Sequence, residues 1–597
     1  MTNTISRRGV LQLLTDVNEK KAPKKKITAT CEHGPVTSGI TPFNGDFDRG
    51  ALIHLLKRTL FGLKKADLDY FTGKTLTQVL DELLIVPSAI TTYPLMDYSS
   101  TAGTGVDWAG VKLGETWVNN PCNQSGPGGF DVTYDNFARD LSVKRWNMGL
   151  ALNQNRSIYE KLVLFWFNHM PTSVSINNRA QRAYVYAKLI RENVNTDFRE
   201  MCKKITKDPA MLMYLNGEVN TSQAPDENYA REIQELFTIG KEVPADKRYN
   251  ENDVKAFAKA LTGHGISFSN YLDAVYQFST FRHASGNKQL SAFYSNAVIT
   301  GGNGSTAGDT ELDQLINVLF DDSDKAIVPL QGTKFANWSR ADIIADHIIK
   351  KVYRFFVYYV IDAEVEVNII KPLADTYKNN GFKIIPVLRQ LFSSEHFYDQ
   401  AFRGAYIKMP YDTTIGLART MEVNVQNDNP QTQYAIYNLF QNETEGMQQG
   451  ALEPPNIAGW PPYYQSPNFH KLWINADTLP KRQDFAKNLV NNGVRSFGQS
   501  GSITVVVNHI EFVKTLTNPE DPNALIDELS ELMLGIPLSV EHKAQLKRDK
   551  LLTGQTQDYY WTDAWLDAVD GKNTNTVISR LKSLFDYLVR LEEFQLT

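Results

Sequence analysis

Side chains able to do chemistry gather in four places along this chain. Asn168 and His169 stand together at the end of an apolar run, just before Pro171. Glu227, Asn228, Arg231, Glu232 and Glu235 crowd onto one short segment, and His283 and Lys288 share a turn-rich stretch. Trp460 and Trp473 flank a proline-marked turn. A histidine beside a carboxylate can form a general-base pair in which the carboxylate orients the imidazole, or the two can ligate a divalent cation. Arg231 and Lys288 can hold an anionic group. The same residues can instead make a buried polar network that locks helix crossings. Residue type alone leaves these readings open. The catalytic candidates are His169, Glu232, Glu235 and His283. The substrate-binding candidates are Asn168, Asn228, Arg231, Lys288, Trp460 and Trp473, and no metal ligands are assigned.

The elements that must position these groups read as helices. In Pro225–Gly240, Asp226 supplies N-cap chemistry, Glu227 suits the positive end of the helix dipole, and Gly240 offers a left-handed C-cap. Ala230, Ile233 and Phe237 make its apolar stripe. Glu227, Arg231 and Glu235 recur at i, i+4, i+8, so one guanidinium is expected between two carboxylates. In Ile158–His169 the apolar positions Ile158, Leu162 and Phe165 run up to His169. That imidazole is therefore expected to be buried, paired with Glu232 or Glu235, beside a cavity roofed by the 91–135 loop or the Trp460 turn. His54 reads as a structural histidine, buried or at the surface, and His347, on an apolar helix, reads as a core histidine.

The run DENYAREIQELFTIG from Asp226 resembles the signature of a bacterial family catalogued as domain of unknown function 1800. Further segments agree in the family's order: HLLKRTLFG, KLVLFWFNHM, DPAMLMYLNG, NDVKAFAKALTG, FRHASGNK, EPPNIAGW, WINADTLPKR and the C-terminal LEEFQL. The likeness covers roughly residue 50 to the end. It implies an exported or envelope-associated protein and, by association, a sulfatase-like partner. It does not imply a reaction or a cofactor.

Helical periodicity elsewhere predicts a mostly α fold: residues 46–597 as one large helical domain, with loop insertions near 91–135 and 268–312. Alternation in Ala274–Phe278 predicts one or two short strands, a minor β-hairpin region. Residues 181–205 read as one helical stretch, and a surface insertion is expected near 500–508. Residues 1–45 read as a flexible basic arm. Within it, Arg7 and Arg8 precede an apolar run that stops after about five residues, against the roughly 7–15 of an export signal, so a degenerate signal is expected.

Composition removes several function classes. A net charge of -5 and a pI near 6.1 give no general attraction to nucleic acid. The longest apolar runs are too short to span a membrane. Cys31, Cys122 and Cys202 are isolated and build neither a zinc site nor a disulfide framework. HExxH, GxSxG and paired ExxH motifs are missing, as is a CxxCH, so the usual metal, acyl-transfer and haem motifs do not apply. Two function classes remain. One is an enzyme or ligand-binding protein acting on a saccharide or other polymer; the other is a non-catalytic scaffold that binds a partner.

Overall fold

The computed structural model describes residues 38–98, 105–120, 133–177, 179–267, 275–498 and 501–597. The export-signal remnant of the arm, Cys31 and Cys122 lie outside the described residues. Helices take 55% of the chain, and among the described residues the strands form only two-stranded sheets. The mostly α expectation holds.

Local chemistry starts the helices where the sequence places it. Helix α1 (Arg49–Thr59) begins at Asp48, whose carboxylate accepts from the Ala51 N–H at 2.7 Å, and Leu52, Leu55 and Leu56 are buried. Helix α2 (Thr133–Leu152) packs on α4 (Ala180–Glu192), and α4 packs on α3 (Tyr159–His169), buried from Glu160 to His169. The expected 181–205 helix breaks after α4. Asp197 caps a new helix, Phe198–Thr206, by accepting from the Arg199 N–H at 2.9 Å.

The signature segment forms α5 (Asn228–Glu232) and packs on α6 (Glu251–Ala260), which in turn packs on α7 (Ala307–Leu319). Between them lie two antiparallel hairpins. In the first, β1 (His264–Ile266) pairs with β2 (Tyr276–Phe278). In the second, β3 (Lys288–Gln289) pairs with β4 (Val298–Ile299).

Helix α8 (Arg340–Phe356) opens with a reciprocal Ser339/Asp342 capping box. It buries Ile344, Ile348, Ile349, Val352 and Phe356 completely or nearly so. Each such side chain contributes about 1.5–3 kcal/mol by leaving water. The remaining face of α8 carries His347, Lys350, Lys351 and Arg354. Helices α9 (Pro410–Thr420), α10 (Pro430–Gly446), α11 (Thr478–Asn491) and α12 (Thr574–Arg590) complete the body, with α10 on α2 and α11 on α12.

The 500–508 region is part of a hairpin, β5 (Val494–Gly498) with β6 (Gly501–Val505), whose first strand packs on α10. The described part of the 91–135 loop lies against α2. There Arg139 forms a buried ion pair with Asp107, and the Trp117 indole donates to the Ser142 hydroxyl at 3.2 Å. One connected apolar core runs from Ala51 to Phe594.

Candidate functional site

The end of α3 is where two signature segments meet. His169 is 2% exposed. Its Nε2 donates to the Phe237 carbonyl at 3.1 Å, and its Nδ1 accepts from the Lys351 ammonium at 3.0 Å. Lys351 also donates to the Leu236 carbonyl at 3.1 Å, which accepts from His347 Nε2 at 3.0 Å. These carbonyls are free because α5 widens into a π turn over Ile233–Phe237, leaving its last acceptors unused. Gly240 closes the turn at φ +78°, and a Cβ there would lie 2.4 Å from His347 Nδ1. Burial first, then Lys351 and His347, hold the His169 pKa well below 6.5. Burial, with Arg354 second, brings Lys351 down to about 7.

The expected carboxylate partner of His169 is thus replaced by backbone. The carboxylates of α5 and its π turn sit on the half-exposed side, while their carbonyls face the histidine. Both ring nitrogens are occupied, so none remains for a substrate.

Asn168 does a parallel job. Its side-chain oxygen accepts from the Trp460 N–H at 2.9 Å. Gly459, at φ +90°, must be glycine, since a Cβ would lie 2.3 Å from that oxygen. Trp460 and Trp473 are each 1% exposed, and Trp473 meets Tyr463 edge-on at 5.7 Å. Neither indole is a platform for a ligand.

The opening face of the signature is solvated. Arg231 bonds Glu227 at 3.1 Å and Glu251, from the start of α6, at 2.7 Å. Glu235 pairs with Lys241, so the expected Glu227–Arg231–Glu235 clamp is redrawn by a helix the local spacing could not see. Glu232 is half-buried, and its carboxyl is pushed up by burial and then by Glu235. Asn228 is exposed.

His283 and Lys288 do come together, around a residue that sequence reasoning missed. Glu311 of α7, fully buried, accepts from His283 Nε2 at 2.9 Å, Lys288 at 2.5 Å and the Gly302 N–H at 2.9 Å. His283 Nδ1 lies 2.8 Å from the Thr262 carbonyl and 3.3 Å from the Thr262 hydroxyl, and Lys288 also donates to the Ala284 carbonyl at 2.5 Å. The cluster ties both hairpins to α7, and its polar groups are spent on one another.

A third cluster, also missed, lies where α2 meets the EPPNIAGW segment. Glu453 accepts from Lys144 at 2.8 Å, from the Ser173 hydroxyl at 2.5 Å, and from the Ser175 N–H and hydroxyl at 2.8 and 2.5 Å. Burial works against its charge, but Lys144 and the two serines outweigh that and hold its pKa low. Asp140, one helical turn before Lys144, is in the opposite condition. It is 8% exposed, and its Oδ1 is buried with no hydrogen bond. Burial pushes its carboxyl up to about 8; Lys144 opposes this and the Glu453 charge adds to it. The signal available in the sequence was the Asp140/Lys144 i, i+4 pair together with the acid heading EPPNIAGW.

One group of carboxylates among the described residues is close enough to hold a metal ion: Glu242, Asp346 and Glu366. The Lys350 ammonium already sits among them, 2.8 Å from Asp346, 3.2 Å from Glu366 and in contact with Glu242. The chain supplies its own cation there.

Among the described residues no helix is long and apolar enough to cross a membrane. No curated protein and no solved structure matches the chain. The segments that build the α3 junction, the His283 cluster and the Glu453 corner all fall within residues 54–596, the stretch matched by the family described as "Protein of unknown function (DUF1800)", and the chain belongs to that family.

Proposed function

We propose that this chain is an acid–base enzyme of the cell envelope that cleaves a linkage in a saccharide polymer, with Asp140 as the proton donor and Glu453 as its ionised counterpart. One observation carries the reading: near the same lysine, Asp140 keeps a buried carboxyl oxygen, Oδ1, with no hydrogen bond, while Glu453 accepts from Lys144, Ser173 and Ser175. Environments that push two carboxyls apart are how one site supplies an acid and an anion at the same pH. Asp140 keeps its proton through neutral pH and can deliver it to a leaving oxygen. Glu453, fixed by its donors, places negative charge beside it to favour the positive charge that develops as the C–O bond breaks. A water then adds its hydroxyl to the anomeric carbon and returns its other proton to Asp140. The envelope location and a sulfatase-like partner come from the family resemblance.

A non-catalytic scaffold is the second reading. It is favoured by the closed hydrogen bonding of His169, His283 and Lys288, which act as locks, and by the burial of Trp460 and Trp473.

The test is release of reducing ends from a panel of neutral and sulfated polysaccharides by the full chain, from pH 4 to 9. Cleavage is expected to fade above about pH 8, as Asp140 loses its proton. Asp140→Asn and Glu453→Gln should each lower the rate at least ~100-fold without loss of fold. Failure to cleave any polymer, or cleavage that survives Asp140→Asn, overturns the enzyme reading in favour of the scaffold.

A further inference from the structure

The far end of α2 opens on a cavity of about 680 Å³ that the acid–base corner does not use. That volume lies within the roughly 300–1,000 Å³ typical of small-molecule pockets. The cavity sits between the 85–92 segment, the α2–α3 turn and α4. Leu150 lies about ten residues beyond Asp140, some ~15 Å along the helix axis, so this is a separate place.

Three features define what it can hold. The first is Gln154, which lines the cavity and is 9% exposed. Both ends of its amide are buried without a hydrogen bond, an arrangement that folded proteins avoid because unmet polar groups cost stability. Its backbone is pinned by Arg419, which donates to the carbonyls of Leu152 at 2.9 Å and Gln154 at 3.1 Å.

The second is charge. Arg191 is held bidentately by Glu160 at 2.9 and 3.0 Å, Arg156 pairs with Asp67 at 2.9 Å, and Glu82 pairs with Lys74 at 2.5 Å. A charged ligand would lose its hydration and meet only compensated charges. The third is the apolar part of the wall, made by Ile85, Pro87, Ile90 and Leu150, with Ile85 exposed at 64%.

We infer that this cavity binds a neutral, polyhydroxylated ligand, a short oligosaccharide, toward which the Gln154 amide turns from its buried, unbonded position to supply one donor and one acceptor. A sugar hydroxyl both gives and takes a hydrogen bond, as the amide requires. The C–H face of a sugar ring suits the aliphatic wall. The site deepens the saccharide part of the functional proposal by naming where a chain is held apart from the point of cleavage, but it rests on different residues.

The experiment is calorimetric titration of the full chain with cellotetraose and the N-acetylglucosamine tetramer, and with a sulfated galactan tetramer as the charged comparison. A neutral tetramer is expected to bind saturably. Gln154→Leu should weaken it at least about tenfold without lowering the melting temperature, because no hydrogen bond within the protein is lost. Ile85→Asp, on the exposed rim, should weaken it as well. Asp140→Asn should keep the binding while losing cleavage, and binding in a chain that cleaves nothing would sustain this site while removing the enzyme reading. No binding of either neutral tetramer at about 10 mM, indifference to both cavity variants, or preference for the sulfated tetramer overturns the inference.

Discussion

The Glu311 cluster and the Glu453 corner use the same kinds of residue and reach opposite ends. In the first, a carboxylate sits between His283 and Lys288, and all three side chains are buried at 0–1% exposure with their polar groups paired. In the second, Glu453 is just as well held, but Asp140 beside it keeps a buried oxygen with no partner. A closed network rigidifies the fold and has nothing left to offer a ligand. An open one stores an unmet demand, and such groups cluster at functional sites. What separates a lock from a candidate site here is therefore the hydrogen-bond balance, and not the presence of histidine or glutamate.

The largest expected effect breaks the lock. Glu311→Ala strands the buried Lys288 ammonium and leaves His283 Nε2 without its acceptor, and should cost about 3–5 kcal/mol in urea unfolding. A loss below about 1 kcal/mol would mean that the cluster is not closed. Gly240→Ala comes next, since it forces a left-handed backbone on a side chain and drives a methyl into His347. About 2–4 kcal/mol is expected from strain and overpacking together, read in the same assay.

Asp140→Asn sharpens the comparison from the other side. The folded pKa of about 8 lies above the ordinary 3.8, so the folded state holds a proton that the unfolded state has released between those values. Stability from this group is full below about pH 4 and is lost as pH rises through 8. The variant should therefore melt higher than the parent at pH 8 and similarly at pH 4. A lower melting temperature at pH 8 would show that Asp140 is paired and charged.

The smallest effect belongs to Arg231. Its side chain is 33% exposed, so Arg231→Ala should cost less than about 1 kcal/mol despite two ion pairs. A larger loss would place this face among the locks.

Much of this was legible in the residues. Helical spacing in Leu52, Leu55 and Leu56, the cap at Asp48, the left-handed stop at Gly240 and the alternation before Phe278 all follow from local stereochemistry, and the structure has them where they were expected. The depth of His169 was also readable, because an apolar helical face must turn inward. Its partners were not. Lys351 and His347 reach it from α8, Glu311 reaches His283 from α7, and Glu251 takes Arg231 from its expected second carboxylate. Periodicity says which face of a helix leaves water, but not which distant helix covers it. The sequence by itself therefore determined the elements and their buried faces. Only the tertiary structure decided which polar groups are spent on each other and which, like Asp140 and Gln154, are left without a partner, because that balance is set by long-range packing and not by any local spacing.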